Sequence, residues 1–183
     1  MTKLIGSLAL AAMTAAVAPK PALAYDVPIH ASFVVGYAGT PNKGMLTYCG
    51  GTPLPVAVEA HGDGFSTLGP LSFALMKTLG GGPLHGCLTL TALNGDTLTA
   101  TYDGTGGAGN TNNFSFATGT LTFTAGTGRF AGASGTATFT AVFNNFYPAS
   151  SFAGGTSTAP LQGIAFYMVA GKISLNGGDG DRN

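Results

Sequence analysis

The sequence predicts an all-β protein, a single domain of about eight antiparallel strands folded as a closed barrel or as a two-sheet sandwich. Three observations predict it. Apolar side chains recur at every second position, where a helical stripe would space them three and four apart. The alternating runs are short and are punctuated by Gly, Pro and Asn turn signals, in a chain with 30 glycines among 183 residues. No repeat of roughly 20–50 residues is visible, which sets aside propellers and solenoids.

The first element is a leader. Lys3 supplies a positive start, Leu4–Ala18 is apolar and Ala-rich, and Ala22-Leu23-Ala24 has the small-residue cleavage pattern of a secretory signal peptide. As a membrane anchor the run is short and is broken by Pro19-Lys20-Pro21. The expectation is export, to the periplasm or the medium, with residues 1–24 removed. Residues 25–175 then form the barrel domain, and residues 176–183, which lack an apolar anchor, form a mobile tail.

In the opening strand Ala31, Phe33, Val35 and Tyr37 share a face, and in the next Leu54, Val56, Val58 and Ala60 do so. Phe65–Met76 is apolar but contains Gly69-Pro70, so it bends or breaks there. Leu88, Leu90 and Ala92 alternate with threonines up to Asn94-Gly95, a hairpin signal, and Leu98, Ala100 and Tyr102 return. Gly104–Asn113 reads as a loop. Phe114 and Phe116 stand out of phase with Leu121 and Phe123, so a bulge or corner is expected near Gly119. The last two strands carry Ala137, Phe139, Ala141 and Phe143, then Ile164, Phe166, Met168 and Ala170.

Between Thr120–Thr124 and Thr136–Phe143 lies the run Gly126-Thr127-Gly128-Arg129-Phe130-Ala131-Gly132, whose glycines allow backbone shapes that other residues resist. Phe130 can pin such a turn to the interior. This run resembles the turn of the allene oxide cyclase and dirigent barrels, most closely secreted bacterial proteins that share it. Ala92–Tyr102 looks like the central hairpin of the same family, so the resemblance extends over most of Val56–Leu175. It implies a calycin-like closed barrel and leaves the sandwich as the alternative. In plant relatives such a barrel holds a hydrophobic intermediate and guides cyclisation or radical coupling, and the barrels form trimers. It therefore implies a hydrophobic small-molecule partner and makes a homo-oligomer an open expectation. The cavity residues behind the plant activities have no one-to-one match here.

Composition narrows the function classes. Charged residues make up 8% of the chain, and with Lys3 and Lys20 in the leader the remainder is mildly acidic. Nucleic-acid binding, which needs a concentrated basic surface, is not expected. Cys49 and Cys87 are the two cysteines; in an exported chain they form a candidate disulfide, a staple of about 4 kcal/mol.

Gly104–Gly109 and Gly126–Ala131 both match dinucleotide fingerprints, yet neither is followed by the helix that would receive a pyrophosphate. No cofactor is expected. Glu59, His61 and Asp63 share one strand face and are weak acid–base or metal candidates, with His85 as a further ligand. Because Val56, Val58 and Ala60 define the apolar face, the simpler placement of that trio is toward solvent, and no metal is expected. Asp96 and Asp103 suit local turn and loop hydrogen bonding. Ligand-binding candidates are Tyr102 and Tyr167, which carry a hydroxyl among apolar walls, and Arg129, which can hold a carboxylate.

Three function classes follow: a secreted binding module for a hydrophobic or amphipathic molecule, or one presenting its threonine-rich exterior to a surface; a cofactor-independent enzyme of the dirigent or cyclase kind; and a structural envelope or matrix protein. Convergent interior polar groups mark the enzyme, and a filled interior marks the structural protein.

Overall fold

The computed structural model describes residues 24–40, 46–48, 52–54, 57–78, 83–108, 113–146 and 161–176. The expected leader up to residue 23, the tail beyond 176 and Cys49 lie outside the described residues. Ten strands follow in chain order: β1 (Ala24–Thr40), β2 (Leu46–Tyr48), β3 (Thr52–Leu54), β4 (Ala57–Ser66), β5 (Gly69–Thr78), β6 (Pro83–Ala92), β7 (Thr97–Ala108), β8 (Phe114–Gly126), β9 (Ser134–Asn145) and β10 (Leu161–Asn176). Eight of them close into a barrel in the order β1-β10-β9-β8-β7-β6-β5-β4, with β1 pairing β4; β2 and β3 form a separate two-stranded ladder. Closure removes the exposed sheet edges that a sandwich would leave.

Strand alternation builds the core. Ala31, Phe33, Val35 and Tyr37 are buried as their spacing predicts, and so are Leu88, Leu90 and Ala92 with Leu98, Ala100 and Tyr102. Ala137, Phe139, Ala141 and Phe143 are buried in the same way. Threonines occupy the outward rows, as where Thr101, Thr122 and Thr136 stand side by side on β7, β8 and β9. Leu54 does not extend β4; it pairs with Leu46 in the small ladder.

Three further sequence expectations need correction. β8 runs unbroken through Gly119, so Phe114 and Phe116 face outward, 45% and 54% exposed, while Ala117, Leu121 and Phe123 face the core. The irregularity sits further along, where β8 carries one extra residue opposite Thr99 and Ala100. Phe116 thereby joins Val142, Phe166 and Val34 in one exterior row across β8, β9, β10 and β1.

Gly104–Ala108, expected as loop, is the end of β7. Gly104 faces Gly119 across the β7–β8 ladder, and a Cβ on Gly104 would lie 2.5 Å from the Thr118 carbonyl oxygen and 2.9 Å from the Phe139 ring. The pair lets the Phe139 ring lie against bare backbone. In the third case, Ile164, Phe166 and Met168 are outward residues of β10, whose buried face is Ala165, Tyr167 and Val169.

The barrel has two unlike ends. At one, neighbouring strands are joined through Thr67-Leu68, through Leu93–Asp96 and through Thr127–Ala133. In the Asn94-Gly95 hairpin the Gly95 N–H donates to the Ala92 carbonyl at 2.9 Å, and Gly95 takes the left-handed conformation at φ +88°. In the glycine corner the chain makes a 3₁₀ turn over Gly128–Phe130 and folds Phe130, 1% exposed, over this end of the core. At the other end the connections are residues 41–56, 79–82, 109–113 and 146–160.

Candidate functional site

The interior is lined by apolar side chains with two buried polar exceptions among the described residues, Lys77 and Asn145. Both come from strand parity. Leu71, Phe73 and Leu75 point inward along β5, so Lys77, next in phase, does too and is 5% exposed. Asn145 continues the inward series of β9 and is 4% exposed. Both lie toward the barrel end with the connections 41–56 and 146–160.

Asn145 is held from several sides. The Tyr37 hydroxyl donates to its Oδ1 at 2.6 Å, and its Nδ2 donates to the Asn113 carbonyl at 2.7 Å and to Ser115 Oγ at 3.4 Å. Gly163 of β10 stands between Tyr37 and Asn145 in the ladder, and a Cβ there would collide with the Tyr37 hydroxyl.

Lys77 has no such partners. Its Nζ lies 5.3 Å from the centre of the Phe143 ring, a cation–π contact. The one ion pair among the described residues is elsewhere, and no buried carboxylate lines the interior. Burial without a counter-charge disfavours the ammonium and pulls the Lys77 pKa down to about 8. The register continues from Lys77 through Gly86 to Tyr102, so the position between amine and tyrosine carries no side chain.

Tyr37, Tyr102 and Tyr167 form the rest of the polar set. Phe143 meets Tyr37 edge-on at 5.4 Å and Tyr167 edge-on at 5.8 Å, and Tyr102 stacks on Phe139 at 4.2 Å. Tyr102 and Tyr167 are 1% and 2% exposed, and neither hydroxyl has a hydrogen-bond partner. They lie near enough for Tyr102 to act on the Tyr167 ionisation, but outside normal hydrogen-bond geometry. Burial raises all three phenols well above the usual tyrosine range, so they are neutral donors at any physiological pH.

The other sequence candidates are dispersed. Arg129 is exposed at the opposite end, where its guanidinium donates to the Leu68 carbonyl at 2.9 Å and lies 4.7 Å from the Phe130 ring centre. Its backbone N–H donates to Asp96 Oδ2 at 3.1 Å, and with Asn94 this lowers the Asp96 pKa. Gly128, at φ +53°, leaves room for that carboxylate; Gly126 packs under Phe130 and Gly132 is also left-handed, at φ +70°.

Glu59, His61 and Asp63 are exposed on the outside of β4, with Asp63 accepting from Ser72 Oγ at 2.7 Å. Gly62 and Gly64 bring β4 against the backbone of β1. Asp103 accepts from His85 Nδ1 at 2.7 Å in an exposed pair, in place of the backbone bonds expected of it. Among the described residues no three His, Cys, Asp or Glu side chains gather as metal ligands. Cys87 is buried on β6 and is not free.

The molecule is thus a closed eight-stranded antiparallel barrel with an aromatic interior and a polar cluster of Lys77, Asn145 and three tyrosines. No protein-family model and no curated protein matches the sequence. Among solved structures the chain is similar to one described as a pterocarpan synthase dirigent protein, at 14% identity and a TM-score of 0.41, over 86% of this chain and 90% of that one. What this barrel does must follow from its own interior residues.

Proposed function

We propose that the protein is an exported binding module whose barrel takes up an apolar molecule bearing a polar head group. The observation that carries this reading is the pair of buried, unpartnered hydroxyls on Tyr102 and Tyr167. Each buried hydroxyl without a partner costs on the order of 1–3 kcal/mol, and a core selected for stability alone would use phenylalanine. A ligand oxygen supplies the missing acceptor or donor, and the aromatic rings supply the apolar wall.

Export rests on the ordered leader residues, and the Cys49–Cys87 bridge on there being two cysteines and on Cys87 being buried and not free. A second reading, an enzyme guiding a reactive hydrophobic intermediate, draws on the convergence of Tyr37, Tyr102, Tyr167 and Lys77 around Phe143 and Phe139.

Native mass spectrometry of protein purified from its producing organism tests the reading, together with titration by the apolar fluorophore N-phenyl-1-naphthylamine. A co-purifying small molecule, or saturable fluorophore binding weakened in Tyr102→Phe, supports it. A chain that carries nothing and gives no saturable binding leaves a structural protein with a filled barrel.

A further inference from the structure

We propose that Lys77 is a carbonyl-capture site, and that the ligand class of the barrel is an aldehyde with an apolar chain, held reversibly as an imine. The inference rests on the binding reading and names its ligand chemistry.

Four observations carry it. Lys77 is an inward-facing amine, 5% exposed, in a barrel whose other inward charged positions are empty among the described residues. It lacks a carboxylate partner and contacts the face of Phe143. A lysine placed for stability would be paired with a carboxylate or would reach into water. Along its register row Gly86 adds no side chain between it and Tyr102. Tyr102 and Tyr167 each keep an unused hydroxyl in the interior.

An alcohol would use the hydroxyls and leave the amine unused, and a carboxylate would pair with the ammonium form without forming a bond to the neutral amine. An aldehyde uses both. With its pKa about 8, roughly a tenth of Lys77 is unprotonated at pH 7 and roughly a quarter at pH 7.5, and this is the nucleophilic form. Burial alone lowers this pKa, and the titratable side chains that share the interior, Tyr37, Tyr102 and Tyr167, are neutral at that pH.

The step balances without a redox partner. The Lys77 nitrogen lone pair forms a bond to the carbonyl carbon while a tyrosine hydroxyl donates a hydrogen bond to the carbonyl oxygen. The resulting carbinolamine loses that oxygen as water, which carries off both amine hydrogens and leaves a C=N bond. Addition of water reverses it and releases the aldehyde. The barrel would carry and shield a reactive aldehyde, releasing it when hydrolysis is favoured.

The test uses the full exported protein with decanal and sodium cyanoborohydride near pH 7.5, which fixes any imine as a stable secondary amine, followed by peptide mapping. Decanol serves as the unreactive counterpart, and N-phenyl-1-naphthylamine reports occupancy. The expected result is one decyl group per chain at Lys77, formed about tenfold or more faster than at exposed Lys172. Lys77→Met and Lys77→Arg should lose the adduct, and circular dichroism checks that they fold; the wild-type map stands without them. If decanol and decanal both displace the fluorophore while Lys77 remains unmodified or is labelled no faster than Lys172, the aldehyde inference is overturned and the binding reading survives. If the fluorophore never binds and Lys77 stays unlabelled, both fall.

Discussion

The Tyr37 hydroxyl donates a 2.6 Å hydrogen bond to Asn145 Oδ1, joining β1 to β9 inside the core. Both side chains are buried, so the bond cannot be exchanged for one to water. Tyr37→Phe removes the donor and leaves the amide oxygen without it, while Asn145 Nδ2 keeps its bond to Asn113. The expected loss is about 1–3 kcal/mol in chemical denaturation. An unchanged midpoint and slope would show that the bond contributes nothing net.

Tyr102→Phe should act in the opposite direction. Its hydroxyl is buried without a partner, so removing it relieves a desolvation cost and stabilises the free protein by about 1 kcal/mol. Ligand affinity should fall about tenfold, since a hydrogen bond in the complex is worth on the order of 1.4 kcal/mol. Stability and affinity moving apart is the signature of a residue kept for binding. If stability falls on this substitution, the hydroxyl has a structural partner and the functional assignment of Tyr102 is wrong.

The buried amine gives the barrel an unusual pH profile. Lys77 titrates near 8 when folded and near 10.5 when exposed, so between those values the unfolded chain binds more protons and stability rises with pH. The rise amounts to at most about 3 kcal/mol. Tyr37, Tyr102 and Tyr167 work the other way: above about 10 the unfolded chain releases phenolic protons that the folded barrel retains, and stability turns down. Denaturation midpoints from pH 7 to 11 should therefore pass through a maximum near 10. Lys77→Met should remove the rising limb alone, and a flat wild-type profile between 8 and 10 would place the amine in water.

At the opposite end, Phe130→Ala should cost about 3–5 kcal/mol, the scale for truncating a buried aromatic ring. Arg129→Ala should cost under about 1 kcal/mol, because its guanidinium is exposed and bonds one carbonyl. Parallel urea titrations decide it. Equal losses would mean that the arginine, as well as the ring, holds the corner.

The strands were legible because inward positions obey a period of two, and in Ala31–Tyr37, Leu98–Tyr102 and Ala137–Phe143 every inward residue is apolar. Tyr102 and Tyr167 could be named as interior hydroxyls for the same reason. Lys77 and Asn145 escaped because a polar residue at a strand end reads as the point where the chain meets water. Their phase was the available signal: each continues an apolar series by one more step of two. Gly104–Ala108 escaped because glycine leaves no alternation to read, and Phe114 with Phe116 because large aromatics were assumed to be core. No pattern in the sequence pairs Tyr37 with Asn145, which depends on how β1, β10 and β9 are aligned when the barrel closes.

Ala24 stands opposite Asn176 where the first and last barrel strands meet, at the end sealed by Phe130 and away from Lys77. A tether, fusion partner or solid support attached at Ala24 or Asn176 sits at the barrel end away from the amine. A short linker from Asn176 back to Ala24 would make the barrel continuous in sequence, so new chain ends can be opened elsewhere on its rim. Handle and buried amine thus lie on opposite sides of the barrel, so a mounted protein keeps Lys77 away from its support.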